Sequence, residues 1–215
     1  IPNDYDVTTN AIPEEIISVF EKTDRRVVYE NNFGTVGVIN KHLEKDDVAY
    51  EIEITPYRTE GGYSDNRRPD SVSFSTSLSE DLMRRDFTIN AMAYDPASET
   101  LVDEYEGRKD ISNSVIRTVG NPNERFEEDA LRIMRAVRFG AQLGFILEPE
   151  MLVAVRNHAE RLHNISSERI RDEFVKIVDA PHAMEGVISL HKLGLLKYIV
   201  PELEEGIDCE QGGIH

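Results

Sequence analysis

Residues 84–91 read RRDFTINA, and the interpretation of the whole chain depends on this stretch. It places two arginines, an acid and an amide among apolar residues. We predict a helix with one face in the core and hydrogen-bond donors and acceptors on the other. Such a group suits an anionic, hydroxyl-bearing ligand such as a nucleotide. A solvated charged helix face is the alternative that these eight residues leave open.

Length and composition are those of a globular protein. The 215 residues are 40% hydrophobic and 30% charged, enough for two or three small units. No apolar run reaches the roughly 18 residues of a membrane helix. We read no signal peptide in the sequence and Cys209 is its single cysteine, so we expect a reducing, cytoplasmic location. The chain starts at Ile1 and ends with the residues GGIH, which predicts a fragment of a longer protein.

The charge distribution narrows the range of ligands. A formal net charge of −17 argues against a protein that coats nucleic acid without specificity. Between residues 117 and 171, however, every basic residue is an arginine, nine of them beside eight acids. Because the guanidinium group is planar and bidentate, this segment indicates specific recognition, although ordinary helix ion pairs would give the same composition.

Two carboxylates near the start are candidate metal ligands. Asp4 and Asp6 are two positions apart, so in a strand their side chains share one face and repel each other. A hard divalent cation such as Mg²⁺ would relieve that repulsion; a turn is the alternative. The alternating strand predicted at residues 49–54 brings Glu51 and Glu53 to one face, which adds a third candidate carboxylate.

The remaining patterns predict ordinary elements. Pro13 opens a helix over residues 12–22, a strand follows at 34–39, and residues 59–70 form a polar loop. Ser77 and Glu80 form a capping-box pattern that starts the helix of residues 84–91. Further helices are predicted at 150–162, 167–177 and 182–196.

Three motifs together resemble one family. PNDYD at residues 2–6, RRDFTINAMAYDP at 84–96 and EEDALRIMRAVRFG at 127–140 resemble the class II tRNA nucleotidyltransferases, which are the CCA-adding enzymes and the bacterial poly(A) polymerases. The resemblance implies an α+β fold, a mixed-sheet nucleotidyltransferase head followed by an all-α neck and body. It places the head at residues 1–118, the neck at 119–180 and the start of the body at 181–215. The glycine-rich GGxVRD turn that precedes the carboxylates in the family is missing from this sequence, which we expect to start too late to include it.

The resemblance also implies roles for the charged residues. Asp4 and Asp6 match the carboxylates that hold Mg²⁺, and Glu53 resembles an accessory catalytic carboxylate. Arg85, Asp86 and Asn90 match positions that bind the ribose and the triphosphate. Residues 165–173 resemble a segment that supports the base-reading helix.

Asp129 and Arg132 match the base-reading motif of the family. At three residues apart on a helix they are neighbours. An aspartate accepts from an exocyclic amine and an arginine donates to ring acceptors, so the pair suits cytosine and adenine and rejects uracil and guanine. Arg135 and Arg138 match further arginines around the nucleotide. Steps of three rotate around a helix, so these arginines do not share one face, and ordinary exposed helix arginines are the alternative.

We therefore predict a template-independent enzyme that adds C and A, from CTP and ATP, to the 3′ end of tRNA by two-metal-ion phosphoryl transfer. An A-adding enzyme and a poly(A) polymerase are alternatives. A catalytically inactive nucleotide- or RNA-binding module is a more remote one. No membrane partner is expected, and the sequence gives no indication of the oligomeric state.

Overall fold

A computed structural model describes residues 6–23, 25–29, 34–40, 51–62 and 71–207. The chain forms two compact units, one of Ile1–Gly61 and Pro69–Arg84, the other of Gly62–Arg68 and Arg85–His215. We call them the sheet unit and the helical unit. The α+β class predicted from the sequence is confirmed: a mixed sheet with helices is followed by a helical region. The predicted domain boundaries at 118 and 180 stay predictions.

The sheet unit contains a four-stranded mixed sheet in the order β1-β4-β3-β2. Strand β1 is parallel to β4, and the other pairs are antiparallel. Helix α1 connects β1 to β2 and begins at Pro13, as predicted. The elements are β1 (Asp6–Thr9), α1 (Pro13–Phe20), β2 (Arg25–Tyr29), β3 (Val36–Asn40) and β4 (Glu51–Pro56).

Alternation along β4 separates core from surface. Ile54 packs with Ile16 of α1 and with Val36 and Val38 of β3, whereas Glu53 faces solvent. The apolar face of the sheet is therefore covered by α1, and the polar face carries the acidic side chains.

A hairpin of β5 (Arg58–Gly61) and β6 (Ser71–Phe74) precedes helix α2 (Leu78–Met83). The loop predicted at 59–70 is thus a strand as far as Gly61, and residues 63–70 lie outside the described residues. Ser77 caps α2 by accepting a hydrogen bond from the Glu80 amide at 3.4 Å, which confirms the predicted start. The carboxylate of Glu80 instead accepts from the Ser75 hydroxyl.

The helix predicted to run through residues 84–91 is wrong, because α2 ends at Met83. Phe87 forms a β-bridge with Thr118, and a single 3₁₀ turn follows at Thr88–Asn90. The Thr88 amide donates to the Arg117 carbonyl at 2.9 Å, a bond that a continuing helix would exclude. Pairing with a segment about 30 residues later therefore overrides the local helical pattern.

The helical unit continues with a β-hairpin, a short parallel strand pair and eight α-helices in the part that the structure describes. Its elements are β7 (Ala93–Asp95), β8 (Thr100–Val102), α3 (Gly107–Asn113), β9 (Val115–Ile116), α4 (Pro122–Glu128), α5 (Leu131–Leu143), β10 (Ile146–Leu147), α6 (Pro149–His158), a 3₁₀ helix (Ala159–Asn164), α7 (Ser167–Val178), α8 (Ala183–Lys192), α9 (Leu196–Ile199) and α10 (Pro201–Glu205). The predicted helices of the last third are present with shifted ends.

Helix α5 is the centre of this unit. Ile133, Met134, Ala136 and Val137 are buried in one core that also receives side chains from α4, α6, α7 and α8. Gly186 lets α8 approach closely, since a Cβ there would come within 2.7 Å of Ile177 and 2.9 Å of Ala141. Packing on several sides fixes the direction of every side chain that leaves α5.

Within the described part of the chain, every helix is too short or too polar to span a lipid bilayer.

Candidate functional site

The pairing of β1 with β4 places two predicted acidic residues opposite each other. Asp6 is the register partner of Glu53, and both residues are exposed. Partners on neighbouring parallel strands lie about 4.8 Å apart with side chains on the same face. Asp4 lies outside the described residues, and the side chain of Glu51 does as well.

This donor set fits a hard cation. Two exposed carboxylates side by side repel each other and offer the oxygen ligands that Mg²⁺ prefers. Among the described residues, no cluster of three or more acidic, histidine or cysteine side chains is arranged as a metal site. The fit therefore rests on the Asp6–Glu53 pair.

Asp86 is the centre of a second cluster. Its side chain is 8% exposed. One carboxylate oxygen, Oδ1, accepts from the Phe87 amide at 2.8 Å and from the Asn90 side chain at 3.1 Å. The other, Oδ2, accepts from Nε of Arg135 at 2.7 Å and lies 2.5 Å from Arg135 Nη2. Three of the predicted nucleotide-binding residues are thus held together, although Arg135 is 49 positions from Asp86.

Arg85 lies beside this cluster. Its guanidinium donates to the Asn90 carbonyl at 3.2 Å, so it bonds to the end of the 3₁₀ turn. Arg85, Asp86 and Asn90 therefore form one compact group, as expected for residues that bind one ligand.

The predicted geometry of Asp129 is wrong. Helix α4 ends at Glu128, and Asp129 is extended, with φ −144° and ψ 106°. Its side chain accepts from the Leu131 amide at 3.0 Å, and its carbonyl accepts from the Arg132 amide at 3.0 Å. A short acidic side chain that bonds to the backbone two residues ahead competes with helix formation. Asp129 thus lies in the junction before α5, whereas Arg132 lies within α5.

Asp129 and Arg132 also bond to different partners. The Asp129 carboxylate accepts from Arg169 of α7 at 2.7 Å. The Arg132 guanidinium bonds to the Glu128 carboxylate and donates to the Arg125 carbonyl at 3.2 Å. Their side chains retain 15% and 11% exposure, so both reach the surface with their orientation set by other residues.

Arg138 is buried, which contradicts the alternative of an ordinary exposed arginine. The residue is 9% exposed, and its guanidinium lies 4.3 Å from the centre of the Phe139 ring and 3.1 Å from Glu173. Burial lowers the pKa of the Arg138 side chain from its ordinary value, and Glu173 opposes that change. Arg132, Arg135 and Arg138 thus point to three different segments, as the rotation along the helix predicts.

Two α7 residues support the α5 region. Arg169 pairs with Asp129 and, one turn later, Glu173 pairs with Arg138. These contacts agree with the supporting position predicted for residues 165–173. Neither pair was predicted from the sequence, and the only available signal was the four-residue spacing that sets both side chains on one helix face.

The chain matches known proteins over most of its length. Residues 1–117 match the family model described as the Poly A polymerase head domain. The chain belongs to this family. Residues 144–207 match a second model, described as the probable RNA- and SrmB-binding site of polymerase A.

Curated relatives of the chain are named CCA-adding enzymes. The enzyme of Lactobacillus johnsonii (strain CNCM I-12250 / La1 / NCC 533) is 49% identical over 180 residues, which cover 83% of this chain and 42% of the relative. That of Lactobacillus helveticus (strain DPC 4571) is 47% identical over 183 residues, 85% of this chain and 43% of the relative. The chain therefore spans less than half the length of these relatives.

A solved structure shares the fold. The crystal structure of the Bacillus stearothermophilus CCA-adding enzyme in complex with CTP is similar with a TM-score of 0.79 and 38% identity. The similarity covers 93% of this chain and 45% of that one. The family and the fold class predicted from the sequence are thereby confirmed.

Proposed function

We propose that the protein carrying this chain is a template-independent nucleotidyltransferase that adds C and A, from CTP and ATP, to the 3′ end of tRNA. The observation that carries the proposal is the cluster in which Asp86 holds Asn90 and Arg135. The resemblance assigns all three to one nucleotide, and the relatives of the chain are named CCA-adding enzymes. We also propose that the protein acts in the cytoplasm, where it would meet its tRNA substrate.

In the reaction, a bond forms between the RNA 3′-oxygen and the α-phosphorus of the nucleotide, and the bond from that phosphorus to pyrophosphate breaks. The 3′-hydroxyl loses its proton. Asp4 and Asp6 are the residues that would hold Mg²⁺, and Glu53, the register partner of Asp6, would be the accessory catalytic carboxylate. Two bound Mg²⁺ ions would supply activation of the 3′-hydroxyl and neutralisation of the leaving pyrophosphate.

Arg85, Asp86 and Asn90 would bind the ribose and the phosphates. The guanidinium group of Arg85 is suited to phosphate oxygens. The Asn90 amide can donate to and accept from a ribose hydroxyl. Arg85 and Asn90 already bond within the cluster. The nucleotide would therefore meet side chains that are held in position before it binds.

Asp129 and Arg132 would select the base. Asp129 would accept from the exocyclic amine of cytosine or adenine, and Arg132 would donate to the adjacent ring acceptor. Arg169 fixes the Asp129 carboxylate and Glu128 fixes the Arg132 guanidinium. Fixed orientations favour discrimination, because a base with the reverse order of donor and acceptor leaves both side chains unsatisfied.

The test is incorporation of each of the four labelled nucleoside triphosphates, with Mg²⁺, into tRNA that lacks its CCA end. The full-length protein is compared with its Asp6→Asn variant. Two C and one A followed by a stop, lost in the variant, is the expected result. A single A on tRNA that already ends in CC would instead assign an A-adding enzyme, and long A tails a poly(A) polymerase. Nucleotide binding without any incorporation would leave a binding module.

A further inference from the structure

A polar group holds Thr88, which lies between Asp86 and Asn90 in the chain. It consists of Thr88, Asp110 and Arg117, which we call the anchor. Thr88 is fully buried and Asp110 is 6% exposed. The Asp110 oxygen Oδ2 accepts from the Thr88 hydroxyl at 2.5 Å and from Nε of Arg117 at 3.1 Å. Arg117 also donates to the Tyr105 carbonyl at 2.8 Å, so its orientation is fixed at both ends.

The backbone around Thr88 is attached to the same region. The Thr88 amide donates to the Arg117 carbonyl at 2.9 Å, and the Val119 amide donates to the Asp86 carbonyl at 3.1 Å. Phe87 forms its bridge with Thr118 between these two bonds. Asp86 and Asn90 are each two residues from Thr88, so any movement of Thr88 moves both.

Helix α3 closes the other side of Thr88. A Cβ on Gly107 would overlap the Thr88 carbonyl oxygen and would come within 3.0 Å of the Met92 sulfur. The Gly107 amide itself donates to Asp103 at 2.7 Å. Glycine is therefore required at this close approach, and Thr88 has no free space on that side.

We infer that the anchor positions Asp86 and Asn90 for nucleotide binding. Thr88, Asp110 and Arg117 are positioning residues: Thr88 and Asp110 are buried, Arg117 is 29% exposed, and the anchor acts through the segment that carries the two binding residues. The inference rests on the proposed function, because it concerns the nucleotide site of that reaction.

The ion pair in the anchor favours a positioning role for the anchor over a purely stabilising one. A buried ion pair gains little over well-packed apolar residues of the same volume, because the desolvation of both charges offsets their attraction. It does, however, fix direction: two hydrogen bonds, one from Thr88 and one from Arg117, converge on the same oxygen of Asp110. The single 3₁₀ turn of Thr88–Asn90 has no helical ladder of its own beyond one turn. Its orientation therefore depends on bonds from outside.

The experiment compares three variants of the full-length protein. Thr88→Val removes the hydroxyl with little change of shape and leaves the Asp110–Arg117 pair intact. Thr88→Ser keeps the hydroxyl. Thr118→Val is the matched control: Thr118 is also buried, at 1% exposure, but its hydroxyl donates to the Gly120 carbonyl at 3.1 Å, away from the anchor. The readouts are KM and kcat for CTP and ATP, the midpoint of thermal unfolding, and hydrogen exchange of residues 85–91.

We expect Thr88→Val to raise KM for both nucleotides by about tenfold to a hundredfold, the range of small misplacements at a binding site. Hydrogen exchange of residues 85–91 should rise as well. Thr118→Val should lower the midpoint of thermal unfolding about as much as Thr88→Val does, since each variant loses one buried hydrogen bond. It should leave KM within about twofold of wild type. Thr88→Ser should restore most of the wild-type KM.

Equal KM values for Thr88→Val, Thr118→Val and wild type would overturn the inference. Impairment of Thr88→Ser equal to that of Thr88→Val would also overturn it, because serine keeps the hydroxyl and the hydroxyl would then not account for the effect. If the wild type binds nucleotide without transferring it, the proposed function fails, and the dissociation constant for nucleotide replaces KM in the same comparison. A wild type that binds no nucleotide would overturn both.

Discussion

The carboxylates of the candidate site and of its supporting ion pairs lie in opposite settings in the two units. In the sheet unit, Asp6 and Glu53 are exposed and lie side by side on neighbouring strands. In the helical unit, Asp86, Asp129 and Glu173 are buried or nearly so, and each faces an arginine. The carboxylates of the sheet unit can be neutralised only by a cation from solution, whereas those of the helical unit are neutralised by arginine side chains of the protein.

This difference separates function from stability in the two regions. Removing an exposed carboxylate that faces a like charge relieves repulsion, so the fold should tolerate it while any bound cation would be lost. Removing one member of a buried pair leaves its partner charged and desolvated, so the fold itself should suffer. Substitutions in the two units should therefore give opposite patterns of activity and stability.

The largest expected effect is that of Asp6→Asn in the sheet unit. Loss of a metal ligand worth several kcal/mol should reduce kcat for nucleotide transfer by about a thousandfold or more. The thermal unfolding midpoint should stay the same or rise slightly, and the affinity for CTP should change little. Single-turnover kinetics and thermal unfolding measure the two quantities. Retention of more than about a tenth of the wild-type rate would remove Asp6 from the catalytic group.

An intermediate effect is expected for Arg169→Gln in the helical unit. The substitution leaves the 15%-exposed Asp129 carboxylate without its 2.7 Å partner. It should lower the free energy of unfolding by about 1–3 kcal/mol. It should also reduce the preference for CTP over UTP by about tenfold, because Asp129 is no longer held in place.

Arg171→Gln is the matched control for that variant, since Arg171 lies two residues away and pairs with Asp172 at an exposed site. Such pairs contribute about 0–1 kcal/mol, so stability and base preference should stay near wild type. Equal effects of the two substitutions, measured by urea unfolding and by kcat/KM for each nucleotide, would contradict the role given to Arg169.

The smallest effect is expected for Glu148→Gln. This variant tests the cost of burying a carboxylate when the attraction of a nearby arginine offsets only part of that cost. Burial raises the pKa of Glu148 from its ordinary value, and the charge of Arg117 opposes that change. A raised pKa means that the folded state holds the proton more tightly than the unfolded state, so the ionised carboxylate weakens the fold. The variant should therefore be more stable at pH 7, by about 0.5 kcal/mol or less after solvent screening.

This gain should disappear as the pH falls through the pKa range of the unfolded chain, about 4.3 for glutamate, because wild-type Glu148 is then protonated as well. Urea unfolding of both proteins at pH 7 and below pH 4 measures the difference in their free energy of unfolding at each pH. A gain that persists at low pH would show that ionisation is not its cause.

Local patterns in the sequence predicted the elements that local interactions decide. Pro13 at the first turn of α1, the alternation of Ile52, Glu53 and Ile54, and the Ser77 cap all lie where they were expected. Each depends on neighbours within a few residues, so the chain contains the necessary information in one place.

The errors arose where distant segments decide the conformation. Residues 84–91 do not continue the helix because Phe87 pairs with Thr118, and the Asp129 carboxylate bonds to Arg169, 40 positions later. The Asp86–Arg135 pair joins residues 49 positions apart. No periodicity within a window of one helix can reveal such contacts, so the sequence identified the charged residues and not their partners.

The ion pairs around α5 have a consequence for salt dependence. Five arginines face four carboxylates there, so the charges within these ion pairs nearly cancel. A nearly balanced group of charges produces a weak field beyond a Debye length, about 8 Å at physiological ionic strength. Nucleotide affinity in this protein should thus fall less steeply with added salt than in a pocket of uncompensated arginines, and sulfate should be a poor competitor.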